Sequence, residues 1–400
     1  MRAAEALIDE FDAVADALEP ATLADGLRIV TSCVPYGVDV DRALALVQRV
    51  QPRVDAGAER DDDAALALRI AHGGLLHWAA RPAEALAELD AAWQRTRAGR
   101  DAGTRVLLAN QRMRVLHAVG ELARAIDCGV ALLEEAEPLE PGVVFLADVM
   151  HVVAMMEIAA GRAAAGVARF DALLARLHDA GEPMPDLFVT SRALACMALG
   201  RLDDAAAWLA RHPPAGRDGM GLQDLGVHLT RARLATLRGE AAEPWLDLAA
   251  QASALPPGLV LQRAVALASM RAPRPGDAAD REALADELSA RGQHGLERVA
   301  RIAAARAALA EADHDAAAAH ARRALELVAQ VDAWVDEPAS AWLGAAEVLA
   351  GCGYADEAGV AAASGAAWVR AGAAQWSRPD DRAAWLEGHP VHRALLSWPG

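Results

Sequence analysis

The chain has 400 residues, with 39 basic and 56 acidic side chains and a formal net charge of −17. Every basic residue is an arginine, which excludes enzymes that depend on a lysine, such as phosphate-loop nucleotide hydrolases and Schiff-base enzymes. A surface this acidic repels phosphate groups, so we expect no direct binding of nucleic acid. Apolar residues make up 54% of the chain and aromatic residues only 4%, a balance that favours helix over strand.

The N-terminal part of the sequence is typical of amphipathic helices. Residues 2–18 form the first predicted helix, which ends before Pro20. Residues 21–32 and 41–55 form the next predicted pair. The acidic run at residues 61–63 precedes a further helix, where carboxylates stabilise the positive end of the helix dipole.

The sequence predicts no membrane segment or signal peptide, because no run of 18 apolar residues lacks a charge. Free thiols in a reducing compartment are the expected state of four widely separated cysteines, which are Cys33, Cys128, Cys196 and Cys352. We therefore expect a cytoplasmic protein that does not bind membranes.

Residues 66–97 predict a helix hairpin that the rest of the chain repeats. Two apolar-periodic segments flank a break at residues 80–82. Leu89 supplies a large core contact, and small residues stand where the two helices approach, at Gly73, Ala85 and Ala92. This spacing lets a hairpin pack tightly and stack on its neighbour.

The same spacing recurs along the chain. The small residue that opens each second helix is placed at Ala43, Ala85, Ala125, Gly166, Ala205, Pro244, Ala317 and Ala358. Successive positions are 39 to 42 residues apart, except for one interval of 73 residues that holds a degenerate hairpin, with helices near 259–271 and 279–291. Twelve residues earlier, in the first helix, stand Thr31, Gly73, Met113, Ala154, Ala193, Ala232, Ala305 and Ala346. Left-handed helix ends are predicted at Gly120, Gly161, Gly200, Gly239 and Gly353.

Over about residues 20–370 this arrangement resembles the tetratricopeptide repeat, although its period is about 40 residues rather than about 34. Repeats of the longer period are similar to those of large bacterial signal-transduction ATPases of the maltose-regulator type and of related antibiotic-pathway activators. In those proteins the array senses an inducer or a partner. Residues 381–396 resemble a closing segment of such arrays, through Trp385, Leu386, Pro390, His392, Arg393, Leu395 and Leu396. The sequence departs from the family by having no phosphate-binding loop and no basic helix-turn-helix.

The spacing and the resemblance predict an all-α, right-handed superhelical solenoid of about nine helix hairpins. Residues 1–372 are assigned to the repeat array and residues 373–400 to a C-terminal cap. The cap is expected to cover the apolar end of the array with Trp334, Trp342, Trp368, Trp376, Trp385 and Trp398. The alternative is that these tryptophans form an aromatic binding surface.

The first helices are expected to line the concave face of the solenoid, where they present Asn110, Arg114, His117, His151 and Arg233. The first three of these residues share one helical stripe. Arg114 could form a bidentate contact with a carboxylate or phosphate. We therefore expect the groove to receive an anionic group of a ligand or partner peptide, the alternative being that these side chains are merely solvated.

The sequence predicts no metal site, no cofactor and no catalytic residue. His389 and His392 are three residues apart, but Pro390 intervenes and no further ligand stands at a suitable spacing. The chain is thus interpreted as a non-catalytic sensor or scaffold part of a bacterial transcriptional or signalling regulator. Its expected partner is a protein, a peptide or a small-molecule inducer in the concave groove. Two alternatives stay open, a helical-repeat enzyme with an acid/base site in the concave cavity and a purely structural assembly adaptor.

Overall fold

The computed structural model describes residues 2–34, 38–57, 62–96, 102–136, 143–182, 186–211, 222–253, 255–330 and 338–399. Within these ranges the chain forms helices and turns, and no strand is found. The described helices group into nine hairpins in which each helix packs against its neighbours in sequence. The predicted all-α solenoid of helical repeats is therefore confirmed.

The first helices of the nine hairpins are α2 (Pro20–Cys33), α4 (Asp62–Trp78), α6 (Ala102–Ala118), α8 (Val143–Ala159), α10 (Asp186–Ala198), α12 (Leu222–Arg238), α14 (Pro257–Met270), α16 (His294–Ala310) and α18 (Pro338–Gly351). Their second helices are α3 (Val40–Gly57), α5 (Pro82–Thr96), α7 (Leu122–Ala136), α9 (Ala163–Asp179), α11 (Leu202–Ala210), α13 (Glu243–Ala250), α15 (Asp277–Ala290), α17 (His314–Gln330) and α19 (Ala355–Ala373). Helix α1 (Arg2–Val14) precedes the hairpins, and the chain closes with α20 (Pro379–Ala383), a π-helical turn (Ala384–Gly388) and α21 (Pro390–Leu396). Helices α14 and α15 form the degenerate hairpin within two residues of its predicted bounds, and the predicted array–cap division falls in the last turn of α19.

In the second and third hairpins, a glycine on one helix faces a large side chain on the other. A Cβ on Gly73 of α4 would lie 2.7 Å from Cγ of Leu89 on α5, so the glycine is what admits the leucine. One hairpin later the sizes are exchanged, because a Cβ on Gly129 of α7 would lie 2.6 Å from Sδ of Met113 on α6. Close packing of this kind fixes each hairpin locally.

Two hairpins depart from the predicted pattern. Pro244 was expected to open the buried face of α13, but that prediction is wrong, because Pro244 is exposed and Ala242 is buried instead. Proline is tolerated in the first turn of a helix, where its missing N–H is not needed, and there it can point outwards. In α15 the equivalent buried position holds Arg281, whose guanidinium donates to Asp277 Oδ2 at 3.0 Å.

The turns inside the hairpins contain residues in the left-handed conformation. All five glycines predicted for these turns have positive φ, from +71° to +89°. Beside Gly120, the amide of Glu121 donates to Leu116 O at 2.9 Å, which satisfies a carbonyl at the end of α6. Ala80 and Ala312 take the same conformation, with φ of 60° and 62°.

These two alanines give a matched test of backbone strain. Ala312 is exposed, so Ala312→Gly is expected to stabilise the chain by about 0.5–1 kcal/mol, because glycine has no Cβ to strain. Ala80 is buried against α14, so Ala80→Gly loses buried apolar surface and is expected to gain little or nothing. Chemical denaturation of both variants measures the change in the free energy of unfolding. Equal changes in the two variants would contradict the proposed balance between backbone strain and lost burial.

First helices form the inner layer of the solenoid. Neighbouring first helices pack on one another, as α4 does on α2 and α6, whereas second helices pack mainly on first helices. In a curved solenoid, helices on the inner side lie closer to one another than helices on the outer side. The first helices are therefore on the inner side. Side chains on the free face of the first helices therefore point towards the superhelix axis.

Consecutive turns of the superhelix touch each other. Ala80, in the turn between α4 and α5, shares a buried cluster with Leu261 and Val265 of α14. The second hairpin thus meets the seventh, and the cap that follows the ninth hairpin lies against the fourth and fifth. About five hairpins therefore complete one superhelical turn.

Polar contacts join the cap to the fourth and fifth hairpins. Gln375 Nε2 donates to Gly161 O at 2.7 Å, in the turn between α8 and α9. Arg201, at the start of α11, forms an ion pair with Asp381 of the cap. The residues involved are about 180 to 214 positions apart in sequence, so these contacts close the superhelical turn.

An apolar cluster completes the cap. Ala163 of the fourth hairpin and Leu199 of the fifth lie in one cluster with Trp385 and Leu395 of the cap. Trp342, Trp368, Trp376 and Trp398 pack against it half-buried, and Trp334 lies outside the described residues. The cap therefore covers the last hairpin and, in addition, the edge of hairpins one turn away.

Candidate functional site

The candidate site is a line of polar side chains on the inner layer, here called the inner polar row. It runs across four successive first helices and consists of His77 on α4, Asn110, Arg114 and His117 on α6, Asp148 and His151 on α8, and Ser191 on α10. The repeat brings these helices side by side, so residues about 40 positions apart become neighbours.

An ion pair forms the centre of the row. Arg114 Nη2 donates to Asp148 Oδ2 at 2.6 Å, and Arg114 Nε lies 3.4 Å from Asn110 Oδ1. The side chains of Arg114 and Asp148 are 34% and 33% exposed, so a ligand can reach both. Burial alone would raise the pKa of Asp148, but the interactions with His151 and Arg114 outweigh it and lower this pKa to about 2. Asp148 is therefore charged at neutral pH.

His151 links the ion pair to the next helix. Its Nε2 lies 2.6 Å from Ser191 Oγ, and its Nδ1 lies 3.9 Å from Asp148 Oδ1. The imidazole packs between Phe170 and Phe188, with ring centroids 6.2 and 5.2 Å away. His151 is thus a fixed, buried member of the row that holds α8 against α10.

Two histidines at equivalent repeat positions form the other end of the row. Burial lowers the pKa of His77 to about 4, and the charge of Arg114 contributes to this. Burial likewise lowers the pKa of His117 to about 3, with further contributions from His77 and Arg114. Both imidazoles are therefore neutral at pH 7 and can donate or accept hydrogen bonds.

The pKa shifts of these histidines predict a loss of stability in acid. An unfolded histidine takes up a proton near pH 6.5, whereas the folded His77 and His117 resist protonation until pH 4 or below. The free energy of unfolding is therefore expected to fall as the pH drops from about 6.5 towards 4, by about 1–3 kcal/mol for each residue. Urea unfolding at pH 7 and pH 5 measures this, and the double variant His77→Gln, His117→Gln should show a smaller loss. An equal loss in both proteins would contradict the prediction.

Aspartate, histidine and serine occur here in the order of a hydrolase triad. Two features speak against catalysis by this group. Ser191 and His151 are only 4% and 5% exposed, so a substrate cannot reach the hydroxyl. Ser191 also lies within α10, where backbone amides bond within the helix and so cannot stabilise an oxyanion.

Three of the residues predicted for the groove are brought together through Asp148. Asn110 contacts Arg114 on α6, and His151 lies beside Asp148 on α8. His117 shares the electrostatic environment of Arg114. Arg233 occupies the same repeat position as Arg114, six residues before the turn glycine. It lies on α12, however, which is the second first helix after α8. It is half-buried there.

Asp148 and Ser191 were not among the predicted site residues, and His77 was not singled out. Asp148 is one of 56 acidic residues and carries no motif, so only its place opposite Arg114 identifies it. The 40-residue spacing of His77 and His117 is a signal that the sequence does contain.

The described ranges contain neither a metal-binding cluster nor a membrane-spanning helix. No group of three or more His, Cys, Asp or Glu side chains there is arranged to hold a metal ion. Likewise, none of the described helices combines the length and apolar character needed to cross a membrane.

Comparison with known proteins adds no assignment to this geometry: neither protein-family models nor curated protein sequences gave a match.

Proposed function

We propose that the chain is a non-catalytic binding protein whose inner polar row receives a peptide or a small polar ligand. The single observation that carries this proposal is the Arg114–Asp148 pair, which lies on the inner layer and is one-third exposed on both sides. A charged pair that stays accessible inside a groove offers directional hydrogen bonds to a ligand.

The chemistry of the row favours a ligand group that both donates and accepts hydrogen bonds. Arg114 supplies N–H donors, Asp148 supplies acceptor oxygens, and Asn110 supplies both. A peptide group matches this set. A carboxylate would also suit Arg114, but it would be repelled by Asp148, which is already paired with that guanidinium at 2.6 Å.

We further propose that the chain acts as a sensor or scaffold in a bacterial transcriptional or signalling regulator in the cytoplasm. The repeat spacing that resembles such regulators supports this, and so do four cysteines that are all free thiols. A structural adaptor is the alternative, and it would use an outer surface rather than the row.

Selection of a random 12-residue peptide library on the immobilised full chain tests the binding proposal. We expect Arg114→Ala to weaken the selected peptides about tenfold or more, because a hydrogen bond to a charged group contributes roughly 1.5–3 kcal/mol. Arg124→Ala is the matched control, since Arg124 is an exposed arginine of α7 that pairs with Glu121. Calorimetry gives the affinities and circular dichroism checks the fold.

Asp148→Asn distinguishes the two ligand chemistries. If the ligand presents a peptide group, this variant should also weaken binding, whereas an anionic ligand should bind it more tightly because the repulsion is removed. Peptides whose affinity is the same for the unmodified chain and for Arg114→Ala would show that binding occurs elsewhere.

A further inference from the structure

A second cleft lies at the end of the array, away from the inner polar row. It is formed between α19, the π-helical turn and α21 and has a volume of about 470 Å³. It is shallow and largely open to solvent, so a ligand can enter it from outside. The cleft is lined by Arg370, Leu386, Glu387, Arg393, Leu396 and Ser397.

Arg370 and Arg393 make this cleft more positively charged than the rest of the acidic surface. The chain as a whole has a net charge of −17, yet residues 366–400 contain four arginines and three acidic residues. Many arginines elsewhere pair with a carboxylate, as Arg322 does with Glu357 at 2.7 Å. Across the described ranges, by contrast, no carboxylate oxygen lies within 4 Å of the guanidinium of Arg370 or Arg393.

The position of each arginine follows from its helix. Arg370 lies in the last turn of α19 and Arg393 in the last turn of α21, where a positive charge is favoured by the helix dipole. Both side chains are exposed, and both border the same cleft. Their donors are therefore available to a ligand.

The remaining lining defines the rest of the ligand. Leu386 and Leu396 are half-buried and give the cleft an apolar wall. Glu387 is exposed on the rim and would oppose an anion that approached it. A carboxylate that binds the two guanidinium groups while its carbon chain packs on the leucines fits this arrangement. We propose that this cleft binds an aliphatic monocarboxylate.

Calorimetric titration of the full chain with octanoate tests the proposal. Saturable binding is expected, and Arg370→Ala and Arg393→Ala should each weaken it about fivefold to tenfold through loss of a charge-assisted contact. Glu387→Gln should strengthen binding, because it removes the opposing charge. Arg382→Ala is the matched control, since Arg382 is an exposed cap arginine that does not line the cleft.

Two probes that each lack one part of octanoate separate the contributions of the carboxylate and the carbon chain. Octanol lacks the carboxylate and acetate lacks the chain, so both should bind more weakly than octanoate. Octanol binding as tight as that of octanoate would overturn the proposal, and so would an equal effect of Arg382→Ala and the two cleft variants. No saturable binding of octanoate below its micellar concentration would overturn it as well. None of these results depends on the inner polar row.

Discussion

Replacing Trp385 by alanine is expected to release the C-terminal cap and to lower the free energy of unfolding by about 3–5 kcal/mol. Trp385 is fully buried, and its indole N–H donates to Val369 O at 2.8 Å. The ring packs on His392, with centroids 4.3 Å apart. A Cβ on Gly372 would lie 2.5 Å from the indole, so α19 presents a glycine where the ring sits. Loss of this side chain leaves a cavity that the glycine face cannot fill.

Urea unfolding followed by circular dichroism measures the effect of Trp385→Ala, and amide hydrogen exchange shows whether the cap has opened. Trp208→Ala is the control, because Trp208 is a half-buried tryptophan of α11 outside the cap. It should cost less, and it should leave exchange in residues 373–399 unchanged. Equal losses for the two variants, with a protected cap in both, would contradict the structural role of Trp385.

Gly200→Ala is expected to be far more damaging than Gly239→Ala, although both glycines end a first helix with nearly the same φ, +73° and +71°. A Cβ on Gly200 would lie 2.4 Å from Ala384 O and from His389 N, which are backbone atoms that cannot rotate away. Among the described residues, apart from its own chain neighbours, nothing lies within 4 Å of a Cβ on Gly239. The two variants thus share the strain of a left-handed alanine, roughly 1–2 kcal/mol, and differ only in the clash with the cap.

Thermal unfolding of the two glycine variants and hydrogen exchange in the cap distinguish the two effects, which are the backbone strain of a left-handed alanine and the steric clash with the cap. The Gly200 variant should unfold at a clearly lower temperature and expose the cap, while the Gly239 variant keeps the cap protected. If both variants lose the same stability, the cap does not press on the turn between α10 and α11.

The hairpins could be predicted from sequence because their packing is local. Gly73, Leu89 and the turn before α5 lie within one hairpin, and the same spacing marks eight of the nine hairpins. Left-handed turns were equally readable where a glycine marks them, but Ala80 and Ala312 adopt the same conformation without one. The prediction for Pro244 was wrong because both a small residue and a proline can occupy the first turn of a helix. The small residue faces the core there, whereas Pro244 faces solvent.

The closure of the superhelical turn could not be predicted in the same way. Gly200 is fully explained by its turn, so the sequence gives no sign that it also contacts Gly388, 188 residues later. That contact depends on the sum of small rotations over about five hairpins, which no single spacing encodes. Sequence was also insufficient for the inner polar row. The position of Arg114 on its helix identified it as a groove residue, but nothing in the sequence identified its partner Asp148.

The most direct test of the proposed function is hydrogen exchange on the full chain, alone and saturated with a library-selected peptide. We expect the peptide to protect α6 and α8 around Arg114 and Asp148. This protection should be lost in Arg114→Ala but kept in Arg124→Ala. Protection confined to the second helices, with α6 and α8 unchanged, would contradict binding at the inner polar row.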